Sequence, residues 1–398
     1  MNTNQRFSGP EMEFMRACLA KLLEASETIP RPPPDLDWEK LIILLEKHRL
    51  AAIFYTLGQK NSDIYPESIR SRLKQSRYGL LLYGDQCRLQ VRDVLRAITE
   101  AGLWVIVMKG WALIPTLYAD DHAQRFCEDM DILVAPEYTD GVELVLRKLG
   151  YTHINEVTPD YARRYNNGRD YLLADGNPQA FRKFSIGLHW GLTQYPYYDK
   201  NSINISAIFS RALPLKVAGV DTLQMCVEDQ IVYTCAHLSL HHRNMEILLN
   251  YFEIAAIIHS NKSTLNWGRI IIRAREWGYL VQLQNVLQRV KDIWPQIIPA
   301  DAFRMVMGEK PSWKERLTDS MVENTKGNPI RSGLFEVLAI PGFTNKISAL
   351  AHQLFPDRDY MQVRYGIGAE KSLLPFYLRR MTDAFPRIFH KNPDDASS

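Results

Sequence analysis

Apolar residues recur along the first hundred positions of this chain with the spacing of α-helices. "PEMEFMRACLAKLLEAS" carries the pattern first and ends in a Pro-rich hinge, "IPRPPPDLDW", where Asp35 or Asp37 can cap the next helix. In that helix Trp38, Leu41, Ile42 and Leu45 keep the i, i+3, i+4, i+7 spacing of one buried stripe. A longer helix comes after it, with Cys87, Val91, Val94, Leu95 and Ile98 on one face. Gly102 stands where a left-handed C-terminal cap belongs.

At residue 103 the period changes. "LWVIVM" predicts a buried strand, "KGWALIPTLY" a turn entering a short helix, "ADDHAQRFCE" a polar loop and "DMDILV" a second strand. "YTDGVELVLRKLG" predicts a helix with Val142, Val145, Leu146 and Leu149 inward and Gly150 closing it. "RDYLLA", the turn "DGNPQA" and "FRKFSIGLHWGL" predict a hairpin of two strands. From about residue 221 helical spacing returns, in "TLQMCVEDQIVYTCAHLSLHH", "EILLNYFEIAAIIHS", "NWGRIIIRAREWG" and "YLVQLQNVLQRVKDIW". Last helices are expected near 345–353 and 370–383, and the tail "HKNPDDASS" reads as disordered. The division is an N-terminal helical region (1–102), a small α/β core (103–220) and a C-terminal helical domain (221–390), an α+β chain.

Composition narrows the function only by exclusion. Among 398 residues, 46% are hydrophobic and 23% charged, and the formal net charge is +3. Nothing there points to nucleic acid or an anionic membrane. No apolar run approaches the ~20 residues of a membrane span, and the start lacks a signal-peptide pattern. Five scattered cysteines, Cys18, Cys87, Cys127, Cys226 and Cys235, read as reduced core residues. A cytoplasmic location is the expectation.

One stretch of the small core breaks its own apolar pattern. In "EDMDILV" (128–134) a strand turns Met130, Ile132 and Val134 one way and sets Asp129 and Asp131 together on the other face, about 6.6 Å apart along the chain. Neighbouring carboxylates repel, and desolvation makes matters worse. A divalent cation relieves both, and two carboxylates plus substrate phosphates are the usual holders of Mg²⁺. The plainer reading is a strand start whose acids reach water. The stretch is not an EF-hand, because the glycine and closing glutamate are missing.

Some twenty residues upstream, the first strand ends in Lys109-Gly110 and enters a helix. Glycine admits close backbone approach, a helix N-terminus offers free N–H groups, and lysine adds charge, which together make an anion site. Arg125 can add a forked contact to phosphate, or both cations are plain surface charges.

The stretches "VIVMKGWAL", "FCEDMDILV" preceded by Arg125, "LRKLGY", "IGLHW", "EDQIVYTCAHLSLHH" and "LNYFEIAAII" resemble the nucleotidyltransferase superfamily of the DNA polymerase beta fold. Within it, the chain is most similar to the bacterial group described as uncharacterised nucleotidyltransferases. The resemblance implies a mixed-sheet core and Mg²⁺-dependent transfer of a nucleotidyl group from an NTP to an acceptor hydroxyl, with loss of pyrophosphate. Asp129 and Asp131 would hold two Mg²⁺ ions. Lys109, Gly110 and Arg125 would surround the phosphates of the NTP, ATP foremost. The acceptor is unknown, and neither nucleic acid nor membrane is an expected partner.

The chain departs from that pattern at the third acid, which in this group often stands two residues before the histidine of an acid-Leu-His-Trp stretch. Here the stretch is Gly187-Leu188-His189-Trp190. His189 points where the acid would have pointed, either as a general base or as a hydrogen-bonded structural residue. A third carboxylate could instead come from Glu128 or Asp170. The alternative is a degenerate fold that binds nucleotide or acts as a scaffold without turnover. His237, His241 and His242 read as satisfied helical histidines, with a transition-metal site or a reach toward nucleotide or acceptor as alternatives. Glu228 and Asp229 read as capping or solvated acids. "YPYY" (195–198) reads as ordinary loop tyrosine or an acceptor surface.

Overall fold

Each apolar stripe of the first hundred residues becomes a buried helix face in the computed structural model. The structure describes residues 9–24, 26, 28–61, 64–153, 167–173, 184–193, 203–242 and 247–324, then 335, 337, 338, 340, 342–356, 358, 361, 365 and 372–379. Helix α1 (Pro10–Leu23) buries Met12, Met15, Cys18 and Leu19. The Asp37 carboxylate accepts from the Lys40 amide and caps α2 (Trp38–Lys47), which buries Leu41, Ile42 and Leu45. Helix α3 (Ala51–Lys60) leads to α4 (Glu67–Glu100). At 34 residues, α4 is about 50 Å long, and its two halves serve different cores. Ile69 and Leu73 pack among helices, whereas Cys87, Val91, Val94, Leu95 and Ile98 pack against the sheet. Gly102, at φ 72°, then takes the left-handed turn that releases the chain toward the sheet.

Among the described residues, seven strands form one mixed sheet. They are β1 (Ile106–Val107), β2 (Asp129–Leu133), β3 (Tyr151–His153), β4 (Gly168–Leu173), β5 (Ser185–His189), β6 (Leu213–Val217) and β7 (Val220–Gln224). Their spatial order is β3-β4-β5-β2-β1-β7-β6. At the centre, β2 runs antiparallel to β1 and parallel to β5. Helix α5 (Lys109–Leu117) connects β1 toward β2, and α6 (Thr139–Lys148) comes after β2 with Val142 and Leu146 buried. The molecule is α+β, with helices before and after the sheet.

Several boundaries differ from the sequence expectation. The first strand is shorter than "LWVIVM", because only Ile106 and Val107 pair and Trp104 is half exposed. Strands β3, β6 and β7 have no counterpart in that expectation. The pattern divides residues 220–224 between the core and the first C-terminal helix, yet Leu223 pairs with Ile106, and Thr222 Oγ1 donates to the Val105 carbonyl. Ladder hydrogen bonds to β1 thus decide the conformation there. Val217 pairs with Val220 across Ala218 and Gly219, both at positive φ, which is the two-residue turn that matches strand twist. The expected β4–β5 pair forms. Its turn "DGNPQA", "YPYY" and the tail lie outside the described residues.

The remaining helices are α7 (Ile205–Phe209), α8 (Val227–Leu240), α9 (Leu248–Ser260), α10 (Trp267–Trp277), α11 (Leu280–Ile293), α12 (Ala300–Gly308), α13 (Trp313–Asn324) and α14 (Phe343–Leu354). Helices α1 to α3 and α8 to α11 share one apolar core, to which the sheet contributes Ile106 and Leu133. The Trp294 indole donates to the Arg16 carbonyl at 3.0 Å, and Arg16 returns a bond to Ile293 O at 2.8 Å. Asp229 is not the solvated acid expected of it. It is fully buried between Arg211 at 2.6 Å and Arg273 at 3.3 Å, because two guanidinium groups compensate a charge that could not be buried alone. Among the described residues, no helix is long and apolar enough to cross a membrane.

Candidate functional site

The alternation of "EDMDILV" holds in β2. Met130, Ile132 and Val134 are buried in the core beneath α4 and α6, which turns Asp129, Asp131 and Leu133 to the other face. Asp129 remains exposed while Asp131 keeps 5% of its surface. The Met108 amide donates to the Asp131 carbonyl at 2.9 Å, and this ties the start of α5 to β2.

Lys109 is the first residue of α5 and lies at φ 53°. That is a left-handed conformation which strains an L side chain. Its ammonium forms an ion pair with Asp131 Oδ2. The positive φ therefore falls on the lysine and not on Gly110, whose residue type has another cause. A Cβ at 110 would stand 2.4 Å from Cys127 Sγ, so Gly110 lets the first turn of α5 pack against the approach to β2.

The second oxygen, Asp131 Oδ1, lies 2.8 Å from His189 Nε2. Register brings the ring there, since Asp131 pairs with Gly187 and Leu133 with His189. A Cβ at 187 would come within 2.2 Å of Asp131 Oδ1 and 3.0 Å of His189 Nε2. The hydrogen bond occupies the volume a side chain would need, and the acid that the resemblance places at 187 has no room while it stands. Gly187→Ala is therefore expected to separate His189 from Asp131 and destabilise the fold by about 1–3 kcal/mol. Urea unfolding of the variant measures this, and an unchanged midpoint would contradict it.

Asp170 on β4 stands directly opposite Gly187, so Asp131, Gly187 and Asp170 form one row across three strands. Burial raises its carboxyl; His189 and Lys109 pull the other way, and the Asp131 charge adds to the rise. Glu128, the other candidate for a third acid, is drawn toward Arg49 at 3.5 Å.

Charge across the acid pair is unequal. Burial works against ionisation of Asp131, but Lys109 and then His189 hold its carboxyl well below the usual carboxylate range. Partial desolvation, and next the Asp131 charge, push the Asp129 carboxyl up to about 6, while Lys109 draws it down. Lys109 is partly desolvated, yet Asp131, then Tyr233 of α8 and Asp129, keep its ammonium above the usual range. Lys109 thus compensates Asp131 more fully than Asp129.

Arg125 stands beside Gly110 but is engaged by another acid. Its Nε donates to Glu253 Oε1 at 2.5 Å, its Nη2 to Oε2 at 3.2 Å and its Nη1 to the Phe126 carbonyl at 2.7 Å. Tyr118 OH donates to the same glutamate at 3.1 Å. With these donors engaged, Arg125 joins the approach to β2 to α9, its guanidinium beside Gly110. Glu253 has no sequence signal beyond its place on an apolar helix.

Tyr233, His237 and His241 are spaced i, i+4, i+8 along α8 and its end. The Tyr233 and His237 rings lie 5.9 Å apart, and His241 stacks on His237 at 4.8 Å. His237 Nε2 and His242 Nε2 approach to 3.1 Å. Burial, followed by Lys109, lowers both His237 and His241, and burial with the neighbouring His241 lowers His242 to about 4. Burial thus disfavours the charged form of all three rings.

Among the described residues no three His, Cys, Asp or Glu side chains converge to hold a metal ion. What this face offers is two hard carboxylate donors two residues apart on one strand. That donor set fits Mg²⁺, which keeps waters and shares substrate phosphates rather than filling an all-protein cage.

A family model described as uncharacterised nucleotidyltransferase matches residues 34–295, more than half of the chain. No curated protein matches it.

Proposed function

The chain belongs to the family of uncharacterised nucleotidyltransferases, and from that premise we propose that it is a Mg²⁺-dependent enzyme. It moves a nucleotidyl group from an NTP, ATP foremost, to a hydroxyl of a small-molecule, peptide or protein acceptor. The observation that carries this reading is the gathering of Asp129, Asp131, Lys109 and His189 on one sheet face, with Asp170 in register beside them.

In this reading Asp129 and Asp131 hold the divalent cations. When bound, those cations supply positive charge along the triphosphate and at the in-line transition state. Lys109, which reaches this face from the start of α5, adds a point charge for the phosphates. His189 donates from Nε2 to Asp131 and so fixes the orientation of that carboxylate. Its Nδ1, over Gly168, is then the nitrogen left to take the acceptor proton. Asp170 lies in the same row, opposite the position that lacks the acid, without converging on the pair as a third ligand.

The test is thermal unfolding with each Mg-NTP, followed by an assay for pyrophosphate release with candidate acceptors. At a hundredfold excess over Kd, a true nucleotide is expected to stabilise the fold by about 2.7 kcal/mol. Failure of all four common NTPs to shift the transition would end this reading. One observation favours a second: both Asp131 oxygens are already engaged by protein groups, as suits a nucleotide-binding or scaffold module without turnover. Such a protein would show the thermal shift and release no pyrophosphate.

A further inference from the structure

The ion pair between Lys109 and Asp131 does more than neutralise a buried acid. We propose that Lys109 guards the metal site: its ammonium keeps a divalent cation off Asp131 until a nucleotide triphosphate draws it away, so metal capture depends on nucleotide. This deepens the nucleotidyltransferase reading and rests on it.

Three observations support the guard. First, both Asp131 oxygens are engaged, Oδ2 by Lys109 and Oδ1 by His189 at 2.8 Å. A Mg²⁺ ion on a carboxylate oxygen sits about 2.0–2.1 Å from it. An ammonium bonded to that same oxygen would be in near contact with the ion, and the like charges exclude one another. Second, Asp131 is almost wholly buried, while the Lys109 side chain keeps 23% of its surface. The lysine, more than solvent, compensates Asp131 as it stands, and a phosphate can reach the lysine from outside. Third, Lys109 holds its place with a strained backbone, φ 53°. Helix α5 therefore starts in a conformation that delivers the ammonium onto β2 instead of toward open water.

The groups around the ammonium fit this assignment. From β2 it faces Asp131 and Asp129, and from α8 the Tyr233 phenol and, further off, His237 and His241. The carboxylates that hold its charge are thus the two proposed metal ligands. A triphosphate entering this face brings several negative oxygens, to which a flexible ammonium can turn. Asp131 is then freed for the cation that accompanies the nucleotide.

Mn²⁺ binding, followed by electron paramagnetic resonance with and without a non-hydrolysable NTP analogue, tests the guard. Wild type is expected to bind Mn²⁺ weakly alone and about tenfold or more tightly with the analogue. Lys109→Met is expected to bind Mn²⁺ about tenfold or more tightly without nucleotide, since it removes a positive charge from the site. Adding Asp129→Asn in that background should abolish the gain, which ties it to these acids. Lys109→Met binding Mn²⁺ no better than wild type would overturn the proposal. If Lys109→Met does not fold, Lys109→Gln replaces it, and wild type alone still decides: equal Mn²⁺ affinity with and without the analogue overturns the guard. If the analogue shifts thermal unfolding of both proteins but Lys109→Met gains no Mn²⁺ affinity, the guard fails and the nucleotidyltransferase reading stands; if no analogue shifts either protein, both fail.

Discussion

Asp131→Asn is expected to abolish the stabilisation of the protein by Mg-NTP and to lower nucleotidyl transfer by about 10³-fold or more. The side chain is nearly isosteric, so packing under the sheet survives. What goes is the charge that Lys109 and His189 converge upon and that a divalent cation would share with Asp129. Asparagine also presents an amide N–H₂ to one of those partners, which repels an ammonium and cannot bind a metal. Thermal scans with and without Mg-NTP read the first effect, and pyrophosphate release reads the second. Circular dichroism confirms that the variant is folded. An Asp131→Asn protein that retains the full nucleotide shift would remove the acid pair from any part in nucleotide binding.

Glu253→Ala carries the largest expected effect on stability, a loss of about 3–5 kcal/mol in urea unfolding. It would leave the Arg125 guanidinium desolvated beneath α9 with its main partner gone, and would strip Tyr118 of its acceptor. Glu253→Gln, which keeps two hydrogen-bonding atoms in place, should lose less. A loss under about 1 kcal/mol for the alanine variant would mean that the site tolerates a bare charge, as a wet or mobile environment would.

The Arg125 case shows where reading from sequence runs out. Arginine beside an anion site suggests phosphate, and only the fold reveals that its partner lies 128 residues away. Asp170 is similar: nothing local sets it opposite Gly187, because that depends on the β4–β5 register. By contrast, the shared face of Asp129 and Asp131 is legible, since it needs only the two-residue period of a strand. The buried stripes of α2 and α4 are legible for the same reason at the helical period. The β6–β7 hairpin carries a signal too, which the helical pattern beyond it obscures. Alternating residues flank Ala218-Gly219, a two-residue connection ending in glycine, and the apolar run from residue 221 onward extends the helical spacing back across β7.

The bond from the Trp294 indole to the Arg16 carbonyl spans 278 positions, and this orders events on the ribosome. Helix α1 is made long before α11, yet the surface that covers Met12, Met15 and Leu19 includes segments synthesised nearly three hundred residues later. At ordinary elongation rates the wait is roughly tens of seconds. For that interval α1 has only its near neighbours α2 and α3 to pack on, and the rest of its apolar surface waits for the later helices. The sheet can be assembled earlier, but the clasp that closes the molecule comes only when translation has passed α11.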